Sequence, residues 1–548
     1  MGQARKGKWA PMRDPTQAGP PGRSDRLRAL QHLVYSGAVL RLFPMLAACL
    51  ALLTPGTAPL AQPKPEPAPA SSIRLVIDGE PAHLNPLLDP DLWGHRLTHD
   101  LVCEPLLRRL DSPQGPRYEG VLAERFRLDR DGRGLDLWLR KGVRFHDGRP
   151  LSAYDVQLSL QMVLASEHSA PQTRGLLRDV ARVVMTGRDS LHLDLRRGSG
   201  QILDALAELS IVPAAHFPDG RLTQKPWNRK PVCTGPYRLV EWKRGSHLTL
   251  RQFAGYWGPP PRTEELRILF APDAARGLQL LRNGQAEGLL RVPLRYLPDL
   301  IQPAVERGRW HKLELPASQL VALVWNGRHP LLGQAGVRRA LAGLLDRGKL
   351  LRDARLGLGS LEVLWPAQGK LSLDEAGVQL DAVQLTRAAP GSLRLWQGRP
   401  LALKLLLPQG SAELLDLATR IIETLTPVGI KVEAEPVELS ALLGRLRRGA
   451  FDLALTGWGW TGSDRLFDPE PLLHLAYPDS HPLWQTLTGK LAEWHHGADP
   501  QPLGEVWQRE EPLTLLYRPR QLLVHQPGLR LPPRADFVDL RTTHLTTP

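Results

Sequence analysis

The chain has 548 residues, 42% hydrophobic and 23% charged, an ordinary composition for folded domains but too long for one small core, so two or three structural units are expected. Its formal charge of +14 is uneven: residues 1–41 hold eight Arg or Lys against Asp14 and Asp25, a net +6, which leaves 14 − 6 = +8 for the rest. Spread that thinly, without a basic helix or an aromatic-interleaved basic stripe, the excess excludes nucleic-acid binding as a working hypothesis.

The basic stretch ends at Arg41 and is followed by LFPMLAACLALL, then by the small residues and prolines of TPGTAPLAQ. This order predicts an export signal with a long basic start over residues 1–61. Its apolar run is too short to span a bilayer; the bland alternative is a short buried helix. Cleavage is expected near Ala58 or Ala61, while Leu46-Ala47-Ala48-Cys49 also has the look of a lipoprotein box with Cys49 as the lipid-bearing residue. Either route places the product outside the cytoplasmic membrane. Residues 62–72 form a proline-rich linker.

Beyond the linker, IRLVI predicts a strand and PAHLNPLL a loop, and residues 92–110 predict a helix. In GLDLWLRKGVRFHDGRPLS the alternation of Leu135, Leu137 and Leu139 predicts a strand within a β-dense region. Ser152 opens a helix with Asp155 three residues on, and Val156, Leu160, Val163 and Leu164 form its apolar face. TGPYRLVEWKRGSHLTLRQF predicts a hairpin, and PDAARGLQLLRNGQ a helix capped by Asp273 and stopped at Gly284. VRRALAGLLDRGKLL places Val337, Ala340, Leu341, Leu344 and Leu345 on one helical face. LALKLLLP, IKVEAEPV and FDLALTGW predict strands separated by helices at about 411–426 and 438–448, the alternation of an α/β unit.

No nucleophile elbow, zinc-protease helix or P-loop occurs in the sequence. His95 and His99 are spaced to share a metal on one helix face, but a solvated face is the simpler reading. Of three cysteines, Cys103 and Cys233 fall outside the signal; in an oxidising compartment they form either a disulfide or two buried thiols. The segment GWGWTGSD (457–464) fits the glycine pattern of a dinucleotide loop, but Pro469 and Pro471 deny it the helix that would bind a pyrophosphate. The glycines are instead expected to form a bend. Trp458 and Trp460 share parity along an extended segment, so both can face one wall.

Several spaced segments together resemble one family: HLNPLL, LVCEPLLRRLD, LAERF, LDLWLRKGVRFHDGRPLSAYDV, PVCTGPYRLVEW, GYWG, VRRALAGLLDR and FDLALTGW. In order and spacing they resemble the extracytoplasmic solute-binding proteins of ABC importers, family 5 type, across residues 73–540. The resemblance implies an α/β fold, a two-lobed periplasmic-binding-protein-like clamshell of class II type with an extra β-rich subdomain in the first lobe. It implies lobe I at 73–288 with that subdomain at about 112–225, an inserted lobe II at 289–510, and a return to lobe I at 511–548. Most of the quoted motifs then shape turns and packing rather than touch ligand.

Peptide-binding members place an aspartate shortly after the Gly-Trp of the late strand, where its carboxylate meets the ligand's ammonium group. A buried ammonium needs such a counter-charge. Here Ser463 occupies the expected position and Asp464 follows it, so a one-residue insertion restores Asp464 to that role, with Asp468 displaced accordingly. The alternative leaves Asp464 solvated and Asp468 capping a turn. The implied function is capture of a peptide-like solute, with Asp464, Trp460, Trp458, Ser463 and Asp468 as the ligand-binding set. Delivery to ABC importer permease subunits by a monomer, without cofactor, metal or catalytic residues, completes the expectation. A metal chelate or other small solute is the alternative ligand, and a secreted hydrolase or structural envelope protein reusing the fold is the reading from another class.

Overall fold

The computed structural model describes residues 71–546 except 89–90, 111–116, 166–170, 198–200, 223–225, 318, 362–368, 460–468, 496–498, 500 and 535–536. The export signal, Cys49 and nearly all of the linker therefore lie outside the described residues.

Strand β1 (Ser72–Ile77) is buried on both faces, with Ile73, Leu75 and Ile77 in one apolar cluster and Val76 in another. Helix α1 (Leu92–Leu97) is capped by Asp91, whose side chain accepts the Gly94 amide, and runs on as a wider turn through Val102. The helix expected to reach residue 110 stops there. β2 (Leu107–Leu110) instead pairs antiparallel with β3 (Arg117–Gly120). β4 (Ala123–Leu128) and β5 (Gly134–Leu139) follow; Leu135, Leu137 and Leu139 are buried, as the alternation requires. Helix α2 (Ala153–Ala165) starts where the Asp155 carboxylate accepts the Ser152 amide at 2.9 Å. With β6 (Val180–Gly187) and β7 (Ser190–Leu195) the order β4-β5-β7-β6 makes a separate four-stranded antiparallel sheet.

The hairpin β8 (Tyr237–Lys243) and β9 (His247–Gln252) joins β10 (Glu265–Phe270), which runs parallel to β1. Asp273 caps helix α3 (Ala274–Arg282) through the Arg276 amide. β11 (Gly288–Val292) pairs β1 on its other side. The chain then reaches β12 (His311–Pro316) and, after a short crossing, β13 (Gln319–Trp325). Helix α4 (Ala335–Gly343) and helix α5 (Arg347–Arg355) replace the single helix expected here. Asp346 breaks it, because its side chain caps the second helix by accepting the Lys349 amide at 2.8 Å.

β14 (Gly359–Ser360) is a short edge piece, and β15 (Thr386–Arg387), β16 (Arg394–Trp396) and β17 (Arg399–Pro400) form a small sheet of their own. β18 (Ala402–Pro408), helix α6 (Ala412–Leu425), β19 (Lys431–Val437), helix α7 (Leu439–Arg448) and β20 (Leu453–Gly459) complete the expected α/β alternation. β21 (Leu513–His525) then runs through the centre of a 12-stranded sheet whose main path is β19-β18-β20-β13-β21-β11-β1-β10-β9-β8, with β12 and β14 pairing β21 off that path; short two-residue strands follow it to the end of the described chain.

β21 explains the architecture. Its first half pairs β13 through Leu513 and Tyr517, and its second half lies between β11 and β12. Leu513 and Leu515 enter one cluster and Leu516 and Tyr517 a second; Leu522 and Val524 enter a third and Leu523 a fourth. Both faces of each half are thus covered by core, and the polar Arg518-Pro519-Arg520 marks the passage between them. Leu294, Ile301, Ala304 and Trp310 pack with Val76 and Val524. Residues 289–316 therefore belong with the first group of strands, where the sequence predicts lobe II to begin at 289; the apolar face of this segment has its partners on β1 and β21.

Candidate functional site

β19 and β20 both run parallel to β18, so the C-terminal ends of all three leave the sheet at one edge. In open α/β sheets that edge is where ligands bind, because the strand-to-helix turns there present backbone groups and helix starts to a crevice. β20 pairs β13 in the register Val321↔Gly457, Leu320↔Trp458 and Gln319↔Gly459. Gly457 and Gly459 are thus strand positions and not the expected bend. At Gly457 the side-chain nitrogen of Gln319 lies 2.7 Å from where a Cβ would stand, so the absent side chain leaves room for that amide.

Beside β20, β18 ends in Leu407 and Pro408, and the chain turns through Gln409 and Gly410, whose φ of 84° is left-handed. The Gln409 amide donates to the Val437 carbonyl at 2.8 Å, which ties the turn to the end of β19. Ser411 caps α6 by accepting the Leu414 amide at 3.3 Å. These residues, with Ala412 and Leu415 of α6 and Pro436 of β19, line a cavity of about 240 Å³. Its walls are mostly apolar and its size suits one side chain of a ligand, the pattern of sites that fix orientation by a few polar groups and hold the rest by contact.

Trp458 stands at the same edge on β20; the structure brings its strand beside the cavity-forming strand β18. Trp460, Ser463, Asp464 and Asp468 lie outside the described residues. Sequence reasoning missed Leu407, Gln409, Leu415 and Pro436. The signal was the Pro-Gln-Gly-Ser turn between an apolar strand and a strongly amphipathic helix.

The quoted motifs of the first half hold the scaffold. Cys103 and Cys233 are joined in a disulfide, both fully buried. Glu104 accepts from the Tyr256 hydroxyl at 2.8 Å and from the Trp257 indole at 2.9 Å, which fixes GYWG against LVCEP. Burial pushes the Glu104 carboxyl up, against the pull of those donors and of Thr234. His146 bridges the two long motifs: its Nδ1 accepts the Cys233 amide at 3.3 Å, leaving Nε2–H to donate to the Gly235 carbonyl at 3.0 Å. Burial drives its pKa down to about 4. A Cβ on Gly235 would meet the Val102 and Leu101 carbonyl oxygens at 2.6 Å, so TGPY needs its glycine.

At the C-terminal end of β1, Asp78 accepts from the Trp93 indole and from Arg291, each at 2.8 Å. Glu80 is pushed up by burial, but the Gly245 amide, the Trp242 indole and Arg229 outweigh this and hold its carboxyl below the usual range. In HLNPLL, Asn85 donates to the Asn228 side chain at 2.9 Å and accepts the Leu87 amide. His95 and His99 stack at 5.1 Å, with His95 3.6 Å from Glu208. Among the described residues no three His, Cys, Asp or Glu are grouped to hold a metal ion.

Residues 117–478 match the model of the bacterial extracellular solute-binding proteins, family 5. The oligopeptide-binding protein AppA of Bacillus subtilis (strain 168) is 23% identical over 511 residues, covering 84% of this chain and 89% of its own. Among solved structures, NikA from Brucella suis in complex with Fe(III)-EDTA superposes with a TM-score of 0.74 at 19% identity, covering 87% of this chain and all of that one. B. subtilis AppA in complex with a nonapeptide gives 0.69 at 20% identity, covering 88% and all of that chain. The fold is the α/β, two-lobed clamshell of these binding proteins, with β4–β7 as the extra β-rich part. Among the described residues no helix is long and apolar enough to cross a membrane. The match covers well over half of the chain, and the chain belongs to the family 5 bacterial extracellular solute-binding proteins.

Proposed function

We propose that this protein captures a peptide-like solute between its two lobes, outside the cytoplasmic membrane, and delivers it to an ABC importer. The observation that carries the reading is the apolar cavity formed by Leu407, Gly410 and Leu415 at the strand edge shared with Trp458. Such a wall accepts varied side chains by contact, as a peptide carrier requires. The peptide-binding names of relatives such as AppA support the ligand class. On the packing of β21, one lobe comprises residues 72–316 with 520–545, and the other residues 319–517. Ligand that touches both lobes shifts the population toward the closed arrangement.

In this reading Asp464 meets the solute's ammonium group, Ser463 and Asp468 flank it, and Trp458 and Trp460 form the aromatic wall. The partners are the permease subunits of the importer, reached by a monomer, soluble or anchored at Cys49. A thermal-shift screen of the full mature chain against pools of di- to nonapeptides tests the reading. A rise in Tm with at least one pool is expected; no shift with any pool would sink it.

A second reading is favoured by the superposition on NikA with its iron chelate: the same cleft holds a metal chelate. Asp464→Asn separates the two. For a peptide the substitution lowers affinity more than about tenfold, or 1.4 kcal/mol; for a chelate without an ammonium group it leaves affinity unchanged.

A further inference from the structure

Arg355 is the last residue of α5 and is buried, with 7% of its surface exposed. Its guanidinium contacts three separate parts of the chain. Nε donates to the Leu358 carbonyl at 3.2 Å, Nη2 donates to the Arg520 carbonyl at 2.6 Å, and Nη1 pairs with the Glu413 carboxylate. Arg520 closes the polar passage of β21, opposite Pro316 of β12, and its own amide donates to the Leu358 carbonyl at 3.2 Å. Glu413 lies in the first turn of α6, between Ser411 and Leu415, both of which line the cavity.

A buried guanidinium is costly unless its donors are taken up. Here one acceptor is the backbone of the segment that both lobes share, and the only charged acceptor in this set stands beside the cavity. We propose that Arg355 is a positioning residue that couples the cavity wall to the crossing strand: displacement of the first turn of α6 pulls on Glu413, shifts the guanidinium, and loosens or tightens its hold on the Arg520 carbonyl. The coupling runs through two charge-assisted hydrogen bonds, which are stronger than neutral ones and directional. Its functional sense rests on the reading of the cavity as part of the solute site.

The test needs no solute. Amide hydrogen exchange is followed by mass spectrometry on the ligand-free full chain, as wild type, Glu413→Gln and Arg355→Lys. The Glu413 side chain is half exposed, so Glu413→Gln keeps the fold. The expected result is that peptides spanning residues 517–522 exchange about tenfold faster in Glu413→Gln, although Glu413 is not on that strand. Arg355→Lys, which cannot reach three acceptors with one ammonium, should produce the same change. If in Glu413→Gln the faster exchange is confined to peptides spanning 411–416, the coupling is overturned. Since no solute enters the experiment, its failure leaves the peptide reading standing, and an empty peptide screen leaves the coupling standing.

Discussion

The Trp257 indole donates to the Glu104 carboxylate at 2.9 Å, across 153 residues of chain. Glu104 is 4% exposed and sits next to the Cys103 half of the disulfide, so a carboxyl group, two aromatic donors and a covalent link meet at one point. The GYWG motif is thereby a structural clasp of the first lobe.

Glu104→Ala should therefore destabilise the first lobe by about 2–4 kcal/mol, because it strands two buried donors. Tyr256→Phe removes one donor and keeps the acceptor, and should lower stability by about 1 kcal/mol. Urea unfolding followed by tryptophan fluorescence measures both. Equal losses for the two variants would show that the carboxylate is not the shared acceptor.

Two buried groups push stability in opposite directions with pH. His146 is held down to about 4 by burial, so in the folded chain it stays neutral where the unfolded chain protonates. Its contribution is full above pH 6.5 and is lost as pH falls toward 4, about 3 kcal/mol in all. Glu511 is pushed up to about 7 by burial, against the Thr514 hydroxyl and the nearby Arg347 and Arg338. The folded chain holds that proton more tightly, so its contribution is full below pH 4.5 and is lost as pH rises through 7, again about 3 kcal/mol. The two slopes oppose each other between pH 4.5 and 6.5. Calorimetry across that window should give His146→Gln a Tm that falls with rising pH relative to wild type, and Glu511→Gln one that rises. Parallel curves for all three chains would refute the assignment.

The disulfide closes a span of 130 residues. Loss of the link in the double variant Cys103→Ser and Cys233→Ser should lower stability by about 2–5 kcal/mol, chiefly by freeing the unfolded chain. Thermal unfolding of wild type with and without reductant should show the same difference once reduction is complete. A Tm that does not respond to either treatment would leave the link without a stabilising role.

Leu415 is half exposed at the mouth of the cavity. Leu415→Trp should fill that space with little change in unfolding midpoint, since the side chain is not in the core. Binding of the tripeptide Leu-Leu-Leu, measured by calorimetry, should weaken about tenfold or more. Unchanged affinity would remove the cavity from the solute path.

Much of the fold could be read from residue patterns because its elements are locally consistent. The alternation of Leu135, Leu137 and Leu139, the Asp273 cap and the strands around 402–408 and 431–437 all appear where pattern places them. The misses have physical causes. Residues 107–110 carry apolar character suited to a helix, and only pairing with Arg117–Gly120 decides for a strand. β21 escaped notice because Pro519 sits mid-strand, where a missing donor argues against a central position; here that residue falls in the passage between two pairings and its carbonyl accepts the Ala317 amide. The cavity is assembled from 407–415 and 436, and no local pattern announces that such residues meet. GWGWTGSD carried more than its glycines suggested: its first three residues finish a strand.

β21 has a consequence for how the molecule is made. Neither lobe can complete its sheet until Leu513–His525 has found its partners on both sides. Pairing between distant parts of a chain is slow to form. Both halves of the molecule therefore wait on one strand, and their last folding step is a shared one.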